Sequence, residues 1–227
     1  MLEQDIVRLQ QRLGYEFRDN ALLKLALTHR SVGAKNNERL EFLGDAILNC
    51  TIAQVLYERF PSANEGELSR FRAAMVKGDT LAELAREFDL GPFLKLGVGE
   101  MKSGGHQRAS ILADTVEALI GAISLDADMA TAQKKVLAWW DDRLEQMDPD
   151  LVLKDPKTRL QEYLQSQNEP LPVYEVVAVT GQAHDQKFVV RCTTTLLPAP
   201  NEATDSSRRG AEQTAARAAL KALGQKI

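Results

Sequence analysis

The sequence predicts an all-α N-terminal part followed by a smaller α+β part. Helical spacing of apolar residues runs from Leu2 to Met147 with few interruptions. The stretch Met147-Asp-Pro-Asp-Leu-Val-Leu-Lys-Asp-Pro156 then carries two prolines and mixed polarity, as a linker does. Beyond it, two β-rich runs, Val173–Thr180 and Lys187–Leu197, lie between helical runs. The domains therefore read as residues 1–147 and 156–225, joined by residues 148–155.

Taken in order, Leu2, Ile6, Leu9 and Leu13 keep helical spacing up to Gly14, and Asn20 is placed to cap a second run, Ala21 to Thr28. Thr28-His29-Arg30-Ser31 closes that run, and a lone histidine at a helix end is more often a packing or capping residue than a functional one. A helix from Asn37 reaches Phe60 before Pro61 stops it. Ser62 or Asn64 caps a helix starting near Glu65. Asp79 caps Thr80–Phe88, which Gly91-Pro92 ends. Residues Gly97 to Arg108 hold four glycines, two bases and His106, and read as a mobile loop. Those glycines match no phosphate-loop spacing, so no nucleotide cofactor is expected. From Ser110 to Ile123 the chain is apolar nearly all round, the mark of a central helix. A helix from Met129 to Met147 follows, with Trp139 and Trp140 in core or interface. In the second part Pro156 opens a helix to Gln167, and Gly181 to Asp185 is a turn. Pro198 to Ser207 is a loop or short third strand, and Ser206 or Ser207 caps an alanine-rich helix to Leu223.

With 44% hydrophobic and 26% charged residues, the composition is that of a globular protein. No apolar run approaches the ~20 residues of a membrane span, and the N-terminus lacks the apolar stretch of a signal peptide. A cytoplasmic protein without membrane contact is expected. Cys50 and Cys192 are isolated, without metal spacing, and read as reduced and buried. The net charge of −4 conceals a division of labour. Residues 154–227 hold 10 Lys and Arg against 8 Asp and Glu, whereas residues 1–153 hold 18 against 24.

The chemistry concentrates in Asn37-Glu-Arg-Leu-Glu-Phe-Leu-Gly-Asp-Ala-Ile-Leu48. At about 100° per residue, Glu38, Glu41 and Asp45 fall within roughly 60°, opposite Leu40, Leu43 and Ile47. Charged helix faces are usually solvated, but they normally mix signs for i,i+4 support, and this one does not. Phe42 lies beside the carboxylates, either a stray exposed aromatic or an anchor for a partner. On the central helix Asp114 and Glu117 share one face, with Gly121 in line and Ala118 alongside, small enough for a helix or an ion to come close. Buried carboxylates must be protonated, hydrogen-bonded or bound to a cation. If the two helices pack face to face, Glu41, Asp45, Asp114 and Glu117 meet. An all-oxygen set selects a hard cation, Mg²⁺ or Mn²⁺, which suits hydrolysis of a phosphodiester by metal-activated water.

Asn37-Glu-Arg-Leu-Glu-Phe-Leu-Gly-Asp45 closely resembles the signature of the bacterial ribonuclease III family, and Leu112-Ala-Asp-Thr-Val-Glu-Ala-Leu-Ile-Gly121 resembles its second catalytic segment. The resemblance runs through essentially the whole chain. It implies an all-α nuclease domain that forms a homodimer and cleaves double-stranded RNA with Mg²⁺, followed by an α-β-β-β-α double-stranded RNA-binding domain. It implies cuts leaving 5′-phosphate and 3′-hydroxyl ends with a short 3′ overhang, and a role in processing ribosomal, messenger and transfer RNA precursors. Glu41, Asp45, Asp114 and Glu117 match the catalytic, metal-binding acids, and Glu38 and Glu65 match acids lining the same valley. Phe42 matches the aromatic that enters the partner subunit. Thr158, Gln161 and Glu162 match the helix face that enters a minor groove, and His184 matches a loop reaching the next one. Arg208 and Arg209 match phosphate contacts at the start of the last helix. The chain departs from the family before and inside that helix, with Asp205 in a loop that usually carries glycines and Gly210 where a third base is common. Two rivals are a non-catalytic RNA-binding protein on the same fold and a small-molecule phosphohydrolase; the latter leaves residues 154–227 without a task.

Overall fold

The computed structural model describes residues 3–149, 152, 154–181 and 186–225. The chain divides into two compact units, Met1–Met147 and Asp148–Ile227. The all-α then α+β class expected from the sequence is what the two units show.

The first unit is helical throughout. Helix α1 (Glu3–Leu13) buries Ile6, Leu9 and Leu13 and stops at Gly14, whose φ of +62° turns the chain. Helix α2 (Asn20–Ala26) is capped by Asp19 rather than Asn20: the Ala21 N–H donates to Asp19 Oδ1 at 2.8 Å. Helix α3 (Glu38–Arg59) ends before Pro61, and α4 (Glu65–Val76) begins with a capping box between Asn64 and Glu67. Helix α5 (Gly78–Glu87) starts two residues before Thr80, so Asp79 lies inside its first turn and does not cap it.

The glycine-rich stretch expected to be a mobile loop is built into the fold. It forms the short α6 (Val98–Lys102) and a 3₁₀ turn (Gly105–Gln107), tied by an Arg108–Glu100 ion pair. Two of its glycines serve close packing: a Cβ on Gly97 would lie 2.3 Å from the Ser31 carbonyl oxygen, and one on Gly105 2.8 Å from that of Glu100. Helix α7 (Ala109–Asp126) is the central element, and α8 (Met129–Glu145) packs on it. Trp140 is fully buried, with its Nε1–H donating to the Met75 carbonyl at 2.9 Å; Trp139 donates to Leu13 O at 3.0 Å.

In the second unit, α9 (Pro156–Ser166) is capped by Asp155. Strands β1 (Val173–Thr180), β2 (Lys187–Thr193) and β3 (Asn201–Asp205) form one antiparallel sheet in that order. Strand β2 ends four residues sooner than its apolar composition suggests. Helix α10 (Arg208–Ala222) is capped by Ser207, whose Oγ accepts from the Gly210 N–H at 3.0 Å. Ala211, Ala215, Ala216 and Ala219 let α10 lie close over Val190 and Cys192 of β2, with Leu160 and Leu164 of α9 completing the core.

Cys192 is buried, but Cys50 is exposed, against expectation. It follows the helical spacing of Phe42 and Ala46 on the outer face of α3. Among the described residues, no helix is long and apolar enough to cross a membrane.

Candidate active site

Two glycines explain why the acids meet. Helices α3 and α7 cross with Gly44 against the backbone of Glu117 and Gly121 against the backbone of Leu40. A Cβ on Gly44 would lie 1.7 Å from the Glu117 carbonyl oxygen, and one on Gly121 would lie 2.2 Å from that of Leu40. Only bare backbones fit there. The crossing brings Glu41, one turn before Gly44, onto Asp114 and Glu117. One carboxylate oxygen from each of the three lies within 4.8 Å of the other two.

All three are half-buried, and the field between them is repulsive. Burial, followed by the Asp45, Asp114 and Glu41 carboxylates, pushes Glu117 up to about 8. Burial also raises Glu41, reinforced by Asp114 and Glu38 and opposed by Arg30. Asp114 is raised by burial, with His29 and then Arg30 pulling against it. Asp45 is exposed, one turn beyond Glu41; it acts on Glu117 through its charge but is outside the three-acid cluster, and its Oδ1 accepts from Asn49 Nδ2 at 2.7 Å. Glu38 is on the rim, 3.6 Å from Arg30, and lines a cleft of about 180 Å³ with His29, Arg30, Asn37, Glu41 and Asp114. Glu65, exposed at the start of α4, accepts from Ser69 Oγ at 3.0 Å and does not reach the cluster in its own chain. Phe42 projects away from the core and is 80% exposed.

In the second unit, Thr158 and Gln161 of α9 and Arg208 and Arg209 of α10 line one cleft of about 690 Å³. Glu162 is not among its walls. It pairs with Lys154 at 2.8 Å and lines a separate cleft with Arg159 and Tyr163. His184 lies outside the described residues. The cleft is cross-braced by Glu212, which accepts from Lys157 Nζ at 2.6 Å and from Arg208 Nε at 3.0 Å. The hydrogen bond from Lys157 holds the Glu212 carboxyl below the usual glutamate range. The Lys157 N–H also donates to Gln213 Oε1 at 3.1 Å, and its ammonium sits 4.6 Å from the centre of the Tyr174 ring.

Residues 19–142, more than half of the chain, match the family model described as Ribonuclease-III-like. The chain belongs to the ribonuclease III family. Residues 156–223 match the double-stranded RNA binding motif. Among solved structures, the chain is similar to the nuclease domain of ribonuclease III from Campylobacter jejuni. The identity is 43% and the TM-score 0.59, over 62% of this chain and 97% of that one. A second structure of the Campylobacter jejuni nuclease domain concerns flexibility in a region involved in dimer formation. It matches at 42% identity and TM-score 0.59, over 61% of this chain and 97% of that one.

For a ribonuclease III-type endonuclease the cluster has the right chemistry for a divalent metal. Its donors are all carboxylate oxygens, as hard cations require. Among the described residues, no lysine or arginine forms an ion pair with Glu41, Asp114 or Glu117. The only nearby charges that oppose the rise of these carboxyls are Arg30 at Glu41, and His29 and Arg30 at Asp114. His29 and Arg30 are the neighbours that sequence reasoning passed over. His29 does cap locally, its Nδ1 accepting from the Ser31 N–H at 3.2 Å. The same fixed ring also lines the acidic cleft. The only sequence signal was two basic side chains in the turn leading into the acidic helix.

Proposed function

We propose that this chain is a homodimeric, Mg²⁺-dependent endoribonuclease for double-stranded RNA, acting in the cytoplasm on ribosomal RNA precursors and other structured transcripts. The observation that carries the proposal is the convergence of Glu41, Asp114 and Glu117 across the α3–α7 crossing, with no ion pair to any of them among the described residues. Those three and Asp45 would hold Mg²⁺, with Mn²⁺ as substitute. A divalent cation so held acidifies water and draws charge from a phosphate. The carboxylates fix the negative field that localises it, and Asp45 and Glu117 are the acids closest to the chemistry. Glu38 shapes the rim, and Glu65 belongs to the same valley when two subunits assemble. Arg30 puts positive charge at the mouth of the cleft beside His29, where a phosphate enters.

In the reaction, water oxygen bonds to phosphorus, the bond to the 3′ oxygen breaks, and that oxygen takes up a proton. The products carry 5′-phosphate and 3′-hydroxyl ends with a short 3′ overhang. Thr158, Gln161, Arg208, Arg209 and the loop holding His184 hold the duplex by shape and phosphate contact; Glu162 contributes from the neighbouring cleft. Phe42, Ala46, Cys50 and Tyr57 leave an exposed stripe on α3, with Phe42 80% and Tyr57 71% exposed, and this stripe supports the homodimer. Sedimentation of Phe42→Ala at falling protein concentration tests it, and dissociation identical to the parent's would remove Phe42 from the interface.

Digestion of a long duplex RNA with and without Mg²⁺, followed by analysis of the ends, decides the main reading. Metal-dependent cleavage with the stated ends is expected. Absence of cleavage, or equal cleavage of single strands, would reject it.

A further inference from the structure

The two departures from the family pattern in the second unit, Asp205 and Gly210, touch each other. A Cβ placed on Gly210 would lie 2.3 Å from Asp205 Oδ1, 2.5 Å from its Cγ and 2.8 Å from its Oδ2. The carboxylate therefore lies over the first turn of α10, in the volume that any side chain at position 210 needs. It is anchored there, since its Oδ1 accepts from the Ser207 N–H at 3.1 Å and from Ser206 Oγ at 3.3 Å. Ser207 in turn caps the helix through the Gly210 N–H. Moving the carboxylate aside gives up its bonds to the Ser207 N–H and Ser206 Oγ, at the residue that caps the helix.

The charges around it sharpen the point. Arg208 and Lys157 both spend hydrogen bonds on Glu212. Arg209 is exposed and forms no ion pair among the described residues. A phosphate approaching α10 thus meets Arg209 and the helix N-terminus, but also the Asp205 carboxylate beside them.

We infer that Asp205 and Gly210 act as one coupled pair that holds down the affinity of this chain for duplex RNA. Asp205 takes the place of a side chain at 210 and sets negative charge where phosphate docks; Gly210 is the residue that lets it. Position 210 cannot take a base while the Asp205 carboxylate stays where it is. The inference rests on the placement of RNA at the start of α10 proposed above. Its consequence for turnover is a raised KM without a lowered kcat, because the pair lies outside the carboxylate cluster.

The test uses the full chain, long duplex RNA in Ca²⁺ across a salt series, and thermal unfolding of each variant. Asp205→Asn keeps an oxygen acceptor for the Ser207 N–H and removes the charge; it should bind about threefold tighter or more, with Tm near the parent's. Gly210→Lys alone should lower Tm, although lysine is the better helix former and would raise it in open space. Asp205→Ala with Gly210→Lys should recover Tm relative to Gly210→Lys. It should bind tighter than either single variant and steepen the salt dependence by up to about one unit. Gly210→Lys that by itself raises Tm and tightens binding would overturn the coupling, and Asp205→Asn binding like the parent would overturn the charge effect. Arg209→Ala serves as the control for the underlying placement: unchanged binding would move RNA off α10 and take the affinity claim with it. Cleavage by the parent in Mg²⁺ reports separately on the proposed activity.

Discussion

The two units each hold a cluster of charge, and they are assembled on opposite plans. Where α3 crosses α7, Glu41, Asp114 and Glu117 are half-buried like charges pressed together. Where α9 meets α10, Lys157, Glu212 and Arg208 alternate in sign and satisfy one another. The first cluster opposes its own ionisation, and a divalent cation is proposed to complete it. The second is finished without help and serves as a brace between two helices. A group that holds a ligand is left unsatisfied, and a group that holds the fold is not.

The comparison breaks most sharply at Glu117. Glu117→Gln keeps the size of the side chain while removing one charge, so cleavage at low Mg²⁺ should fall by about 100-fold or more. Duplex binding in Ca²⁺ should persist, and the metal-free protein should unfold at the same or a higher temperature. A variant that cleaves like the parent would remove Glu117 from the metal set.

Gly44→Ala attacks the crossing itself. Its Cβ has nowhere to go except into the Glu117 backbone, so a loss of about 1–3 kcal/mol or more is expected. Thermal unfolding checks this; an unchanged Tm would mean that the two helices separate at no cost.

The pH dependence should run in opposite directions in the two clusters. Glu117 is raised in the folded state, so its stabilising contribution is full below the ordinary glutamate value and is lost as pH rises towards about 8. Metal-free protein should therefore lose Tm over that range, and excess Mg²⁺ should flatten the loss. Glu212 is lowered, so its contribution is present above the ordinary value and is lost as pH falls below it. Calorimetry of the parent and of Glu117→Gln across pH separates the two, and identical profiles would refute the assignment to Glu117.

The smallest effect is expected from Glu212→Gln. The pairs it breaks are partly exposed, so the loss should be about 1 kcal/mol, seen as a modest drop in Tm. Duplex binding should weaken only as far as Arg208 and Lys157 lose their common anchor. A collapse of the second unit would show that Glu212 carries more of its fold than a brace does.

Much of this was legible in the chain. Apolar periodicity marked α3, an apolar run on nearly every side marked α7, Ser62 or Asn64 marked the start of α4, and the two β-rich runs marked the sheet. Local hydrogen-bonding rules were less decisive where two candidates stood side by side: Asp19 caps α2 although Asn20 is equally able, and Asp79 was absorbed into a helix beginning at Gly78. The glycines between Gly97 and Arg108 suggested mobility, yet Gly105 is there because Glu100 presses against it. A glycine that allows freedom and a glycine that allows contact read alike in one dimension.

By itself the sequence determined which side chains share a helix face, because that depends only on a repeat of 3.6 residues. It therefore placed Glu38, Glu41 and Asp45 together, and Asp114 with Glu117. Only the tertiary structure decided which of them meet. Gly44 and Gly121 are far apart in the chain, and their backbone contact brings Glu41 into the cluster and leaves Asp45 at its edge. It likewise brought His29 and Arg30 onto the acidic cleft, kept Glu162 out of the cleft of Thr158 and Gln161, and pressed Asp205 against Gly210. Periodicity is local, whereas an active site is a contact between elements, and contact depends on how closely two backbones can approach.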